Sequence, residues 1–229
     1  MHHNEKHLKS SDTIRDIVIG MSDGLTVPFA LAAGLSGAVN SSGVVITAGV
    51  AEIIAGSIAM GLGGFLAGRT ESDHYTAELQ REYDEVERVP EQEKAEVKEI
   101  FAGFGLSGVL QDLIADEMAK DKDKWVDFMM RYELGLEKPS PNRATQSAVT
   151  IGLSYIVGGI IPLSPYFFEK NSQIALMYSC IITMICLFVF GYFKSKVTGQ
   201  PPISGAFKVL IIGALAAAAA FGMAKWISG

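Results

Sequence analysis

The sequence predicts an all-α, polytopic membrane protein of five transmembrane helices interrupted by an acidic, three-helix domain. Three observations predict it. Of the 229 residues, 49% are hydrophobic and the mean hydropathy is positive, which leans towards a membrane class. Five apolar runs, at 17–39, 44–67, 148–168, 174–193 and 206–224, each approach the ~20 residues that cross a bilayer as helix. Acids are segregated: residues 71–143 hold 19 of the 25 Asp and Glu but 10 of the 19 Lys and Arg, a net charge of −9, while the rest of the chain carries +3. The chain therefore divides into 1–70 with two spans, an acidic domain at 71–143, and 144–229 with three spans.

The opening MHHNEKHLKS has neither the apolar core of a signal peptide nor a cleavage pattern, so the first span serves as its own insertion signal. Lys6, Lys9, Arg15, Arg69, Arg143, Lys194, Lys196 and Lys208 flank the spans on one side, whereas the opposite loops carry Lys170 and the tail Lys225. The positive-inside rule then puts the N-terminus and the acidic domain in the cytosol and the C-terminus across the membrane.

After the second span, TESDHYTAELQREYDEVERV has no Gly or Pro before Pro90, so the same helix leaves the membrane and continues. PEQEKAEVKEIFAGFG opens with Pro in a first-turn position and closes on glycines. SGVLQDLIADEMAKDKDKWVDFMMRYELGL follows as a third helix, with Ser107 as its cap, and the prolines of GLEKPSPNR end it. Cys180 and Cys186 lie in the fourth run without metal-site spacing and are packing residues. The acidic balance and the absence of basic stripes argue against nucleic acid. No nucleotide-binding glycine loop or nucleophile motif is present, and no prosthetic group is implied.

Asp23, in IVIGMSDGLTVPFALAAGL, and Glu52, in AEIIAGSIAMGLGGFLAGRTE, are the acids inside the apolar runs. Each costs ~2.5–3.5 kcal/mol on insertion scales unless solvated or paired, so such residues mark a substrate path or proton relay, or else hydrogen-bond neighbouring helices. With a 1.5 Å rise and an antiparallel hairpin, Asp23 and Met60 fall at one depth, roughly 7 Å to the cytosolic side of centre, with Glu52 roughly 5 Å beyond it. Glu52, Gly56 and Met60 share one stripe at i, i+4, i+8, where the glycine admits a wide ligand or a close helix. Two carboxylates and a thioether without a neighbouring cation suit a divalent transition metal better than Mg²⁺ or Ca²⁺. Metal entry would displace a proton from a buried carboxylate. Pro28 interrupts the first span's hydrogen-bond ladder near midplane.

In the acidic domain Glu82/Glu85 and Glu93/Glu96 are spaced i, i+3, and Met129/Glu133 i, i+4, so each pair shares a helix face. A solvated charged face is the plain alternative, but oxygen clusters with a thioether match the membrane set in chemistry. Glu71 and His74 have half of a di-iron spacing that such a centre needs twice, and they read as a surface turn.

RDIVIGMSDGLTVPFALAAGLSGA, AEIIAGSIAMGLGGFLAGRTESDHY, the acidic insert and three further spans together resemble the plant-type vacuolar iron transporters over essentially the whole chain. The resemblance implies a five-span homodimer in the vacuole membrane that moves cytosolic Fe²⁺ inward in exchange for protons, with its pathways near the subunit interface. It points to Asp23, Glu52 and Met60 for translocation, and to Glu82, Glu85, Glu93, Glu96, Met129 and Glu133 for a cytosolic metal-binding domain. Nodulin-like relatives lack that insert. Mn²⁺, Co²⁺ and Zn²⁺ suit the same ligands. The rival classes are a membrane-anchored di-iron oxidase or iron-storage protein and a metal sensor.

Overall fold

The computed structural model describes residues 11–228; the opening MHHNEKHLKS, with Lys6 and Lys9, lies outside them. The described chain is helical throughout: α1 (Ser11–Ala38), α2 (Ser42–Arg88), α3 (Pro90–Gly103), α4 (Gly108–Met118), α5 (Lys122–Tyr132), α6 (Arg143–Leu163) closing in a 3-10 turn (Ser164–Phe167), α7 (Ser172–Val197) and α8 (Pro202–Ser228). Helices α1, α2, α6, α7 and α8 are long and apolar enough to cross a membrane. Two compact units result, one from residues up to Leu66 together with Ala144 onward, the other spanning Ala67–Arg143. Helix α2 contributes to both.

At 47 residues α2 is about 70 Å long, more than twice the hydrocarbon thickness of a bilayer. Nothing in its sequence breaks it before Val89, and Pro90 then starts α3 at a first-turn position. The acidic segment differs from expectation at one point: its last helix is two. Residues 119–121 leave helical pairing, and Asp121 starts α5 afresh by accepting a hydrogen bond from the Lys124 backbone N–H at 3.2 Å. This Asp cap competes with continuation of the helix. The restart turns Trp125, Val126, Met129 and Met130 inward onto Val86 of α2, Val97 of α3 and Ala115 of α4. Each fully buried Val or Met of that core contributes ~1.5–3 kcal/mol. Ser107 does stand at the N-cap of α4, but its side chain makes no cap bond.

The larger unit is held differently. Ile54, Ile58, Leu62 and Leu215 are more than half exposed, as side chains facing lipid are. Without a hydrophobic drive between helices, association relies on close contact of small residues. Gly24 of α1 lies against the backbone of Tyr155 in α6, and a Cβ on Gly158 would stand 2.9 Å from the Gly24 carbonyl carbon. Gly191 of α7 meets Ala206 of α8 in the same manner. Polar side chains add cross-helix links: Ser36 and Tyr166 hydroxyls lie 3.0 Å apart, and Ser179 donates to the Pro162 carbonyl at 2.7 Å. Cys180 joins the packing around Phe29, Ala33 and Ala217.

Candidate metal centre

The acidic unit brings carboxylates from three helices to one point. One carboxylate oxygen each from Glu82 (α2), Glu93 (α3) and Glu133 (just past α5) lie within 4.8 Å of one another, the one such grouping of acid, His or Cys side chains among the described residues. Glu82 and Glu93 are 1% and 2% exposed, and each has an Oε2 buried without a hydrogen-bond partner. Orphaned buried oxygens are costly unless something cationic meets them.

The electrostatics say the same. Burial pushes the Glu82 carboxyl up to about 7, with the charges of Glu133 and Glu85 adding and Arg81 opposing. Burial likewise lifts Glu93 to about 7, helped by Glu96, Glu82, Glu85 and Glu133. Glu133 is raised by burial and then by Glu96 and Glu85. Like charges held this close share protons or a cation. Glu85 and Glu96 thus sit in electrostatic reach of the three convergent acids. Met129 is fully buried among Val86, Val97 and Trp125, one turn before Glu133, whose backbone N–H donates to the Met129 carbonyl at 3.0 Å. Glu71 and His74 are exposed, His74 Nδ1 lying 3.9 Å from Glu78.

The centre is held by ion pairs around it. Lys94 and Lys98 of α3 reach Asp116 and Asp112 of α4 at 2.9 and 2.7 Å. Tyr83 of α2 donates to Asp123 of α5 at 2.8 Å, and Lys122 pairs with Glu87. These links tie α3 to α4 and α5 to α2, around the point where Glu82, Glu93 and Glu133 converge.

In the apolar unit, Glu52 is half-buried on α2. Its Oε1 accepts a hydrogen bond from the Tyr155 hydroxyl of α6, and its Oε2 is buried without a partner. The phenol fills the space left by Gly56, where a Cβ would lie 2.5 Å from the Tyr155 oxygen. The glycine in the Glu52, Gly56, Met60 stripe therefore admits a close helix. Asp23 is half-buried in α1, next in sequence to Gly24, which rests on the Tyr155 backbone. Met60 is half-buried two turns along α2 from Glu52. Glu52 also borders a groove of about 500 Å³ lined by Thr26, Ala30 and Gly34 of α1 and Ala216 and Ala220 of α8.

Comparison with known proteins identifies the framework. A model of the VIT family matches residues 14–225. The chain belongs to the VIT family. Among relatives of this VIT chain, "Vacuolar iron transporter 1" of Arabidopsis thaliana is 53% identical over 98% of the chain and 90% of that protein. The "Vacuolar iron transporter 1" of Tulipa gesneriana is 52% identical over 97% and 90%. "Protein CCC1" of Saccharomyces cerevisiae is 41% identical over 93% and 68%. The two plant relatives are named as transporters, and none of the three as an enzyme.

Tyr155 is the partner of Glu52 that sequence reading of this VIT chain misses. A tyrosine within an apolar run has a polar end that must find a partner, but that partner, Glu52, lies 103 residues away. Asp16, just outside the first run, is 1% exposed, a burial that its place in the sequence does not signal. Tyr155→Phe keeps the ring against Gly56 and removes the hydroxyl, leaving a second Glu52 oxygen without a donor. The expected outcome is a loss of about 1–3 kcal/mol in stability, read as a lower thermal midpoint of the detergent-solubilised chain, together with slower metal uptake.

Proposed function

We propose that this VIT protein is an Fe²⁺/H⁺ antiporter of the vacuole membrane that moves cytosolic ferrous iron into the lumen for storage and detoxification. The observation that carries the reading is Glu52: a carboxylate in an apolar span, with one oxygen held by Tyr155 and the other buried without a partner. A free, desolvated carboxylate oxygen binds either a proton or a cation, and exchange of one for the other is antiport. Asp23 shares the Tyr155 neighbourhood and Met60 the Glu52 stripe, so these three side chains form the translocation set, with Tyr155 positioning Glu52.

The acidic unit acts as a cytosolic metal-binding domain. Glu82, Glu93 and Glu133 form its core, with Glu85 and Glu96 beside them and the Met129 thioether one turn from Glu133. It collects Fe²⁺, shortens the time iron spends free in the cytosol, and supplies it to the level of Asp23 and Met60. Mn²⁺, Co²⁺ and Zn²⁺ fit the same oxygen-rich ligands. A second copy of the chain covers the groove between α1 and α8, whose alanine and glycine walls suit close helix contact. The termini follow the charge bias: N-terminus and acidic unit cytosolic, C-terminus luminal.

The test is Fe²⁺ entry into liposomes containing the purified chain and an internal metal-quenched dye. Protein-dependent quenching is expected. Binding of iron by the chain without entry would instead favour a storage protein, an oxidase or a sensor.

A further inference from the structure

Helix α2 places a cation against its own acids. Arg81 Nη1 lies 3.0 Å from Glu78 Oε2, and Arg81 Nε lies 3.5 Å from Glu85 Oε2. At 100° per residue, Glu78 and Glu85 fall between Arg81 and Glu82 around the helix. The guanidinium charge is felt by Glu82 and, on the far side of the centre, by Glu133. Nearby lysines are turned elsewhere, Lys94 and Lys98 to α4 and Lys122 to Glu87.

We propose that Arg81 is a latch on the acidic centre: anchored by Glu78, its guanidinium holds Glu85 and must release it before Glu85 can join Glu82, Glu93 and Glu133 around a divalent cation. The proposal rests on the metal-binding reading of that centre given above. A planar guanidinium is suited to the task, because its delocalised charge lies close to both carboxylates at once, here as charge contacts with Glu78 Oε2 left without a hydrogen-bond donor, which a compact ammonium cannot do equally well. Arg81 is 53% exposed and Glu85 40%, so water screens the pair and its strength is modest. A latch of that strength does not block a cation that gains several direct oxygen bonds. It raises the concentration at which Glu85 is recruited, and returns to Glu85 when the metal leaves, where its charge offsets part of the repulsion between Glu85 and its acidic neighbours. It therefore favours release of metal from the centre.

The experiment is Mn²⁺ titration of the purified full-length chain at pH 8, where the carboxylates are ionised, followed by the electron paramagnetic resonance signal of free Mn²⁺. Arg81→Gln is expected to tighten binding about threefold to tenfold. Arg81→Lys, which keeps the charge but cannot span both carboxylates, is expected to give a smaller gain in the same direction. Arg88→Gln removes the same charge from the same helix at a pair with Asp84 of 4.0 Å, and is expected to leave the affinity unchanged. No gain in either Arg81 variant overturns the latch, as does an equal gain in Arg88→Gln, which would mean a general charge effect. Absence of Mn²⁺ binding by the unsubstituted chain would overturn the metal-centre reading itself, and the latch with it.

Discussion

Glu52→Gln is expected to reduce proton-coupled Fe²⁺ uptake to the background of protein-free liposomes. Glutamine has nearly the same shape, and its amide oxygen still accepts the Tyr155 hydroxyl, so the close fit of α2, Gly56 and α6 is kept. What disappears is the charge that a divalent cation needs and, in the proposed antiport, the site at which a proton is exchanged. The acidic unit has its own core, so metal binding at Glu82, Glu93 and Glu133 should be unchanged in the same preparation. Flux and binding measured side by side check this, and normal flux in the variant would remove Glu52 from the mechanism.

The second large effect is the pH dependence of the acidic centre. Glu82 and Glu93 are both held up to about 7 by burial and by their acidic neighbours. Metal must displace these protons, so affinity should rise about 100-fold between pH 6 and pH 8 and level off above, two protons being released over that window. A titration calorimeter, run in buffers of different ionisation enthalpy, reads both the affinity and the proton count. Stability of the metal-free chain should move in the opposite sense. A carboxyl whose folded pKa is raised binds more protons folded than unfolded, so stability falls as pH climbs from about 4.5 to about 7. Divalent metal then restores it at neutral pH by binding the folded form. A thermal midpoint that rises with pH in the metal-free chain would contradict the buried, mutually repelling carboxylates described here.

The spans and the long run of α2 were legible because they depend on features carried along the chain: apolar length, and the absence of Gly or Pro before Pro90. The break between α4 and α5 was harder to see. Helix propensity through AKDKDK allows continuation, and what decides is the inward turn of Trp125, Val126, Met129 and Met130, a tertiary effect. In the acidic centre, i, i+3 spacing pairs Glu82 with Glu85 and Glu93 with Glu96, yet the structure selects one member of each pair for the buried point and leaves the other beside it. Spacing assigns a face; packing of α3 and α5 on α2 assigns the inward member. Tyr155 and the Arg81 bridge were invisible for related reasons. The first is a contact between helices distant in sequence, and the second is one of many charged pairs on an exposed helix until the centre it borders is known.

Antiport means that metal moves one way as protons move the other. The most direct measurement places the chain in liposomes with a metal dye and a pH dye inside, and follows both signals when Fe²⁺ is added outside, with and without an acidic interior. Antiport predicts faster iron entry into the acidic interior and an iron-dependent rise in internal pH, both absent with Glu52→Gln. Iron entry indifferent to the pH gradient, with no proton leaving, would contradict it.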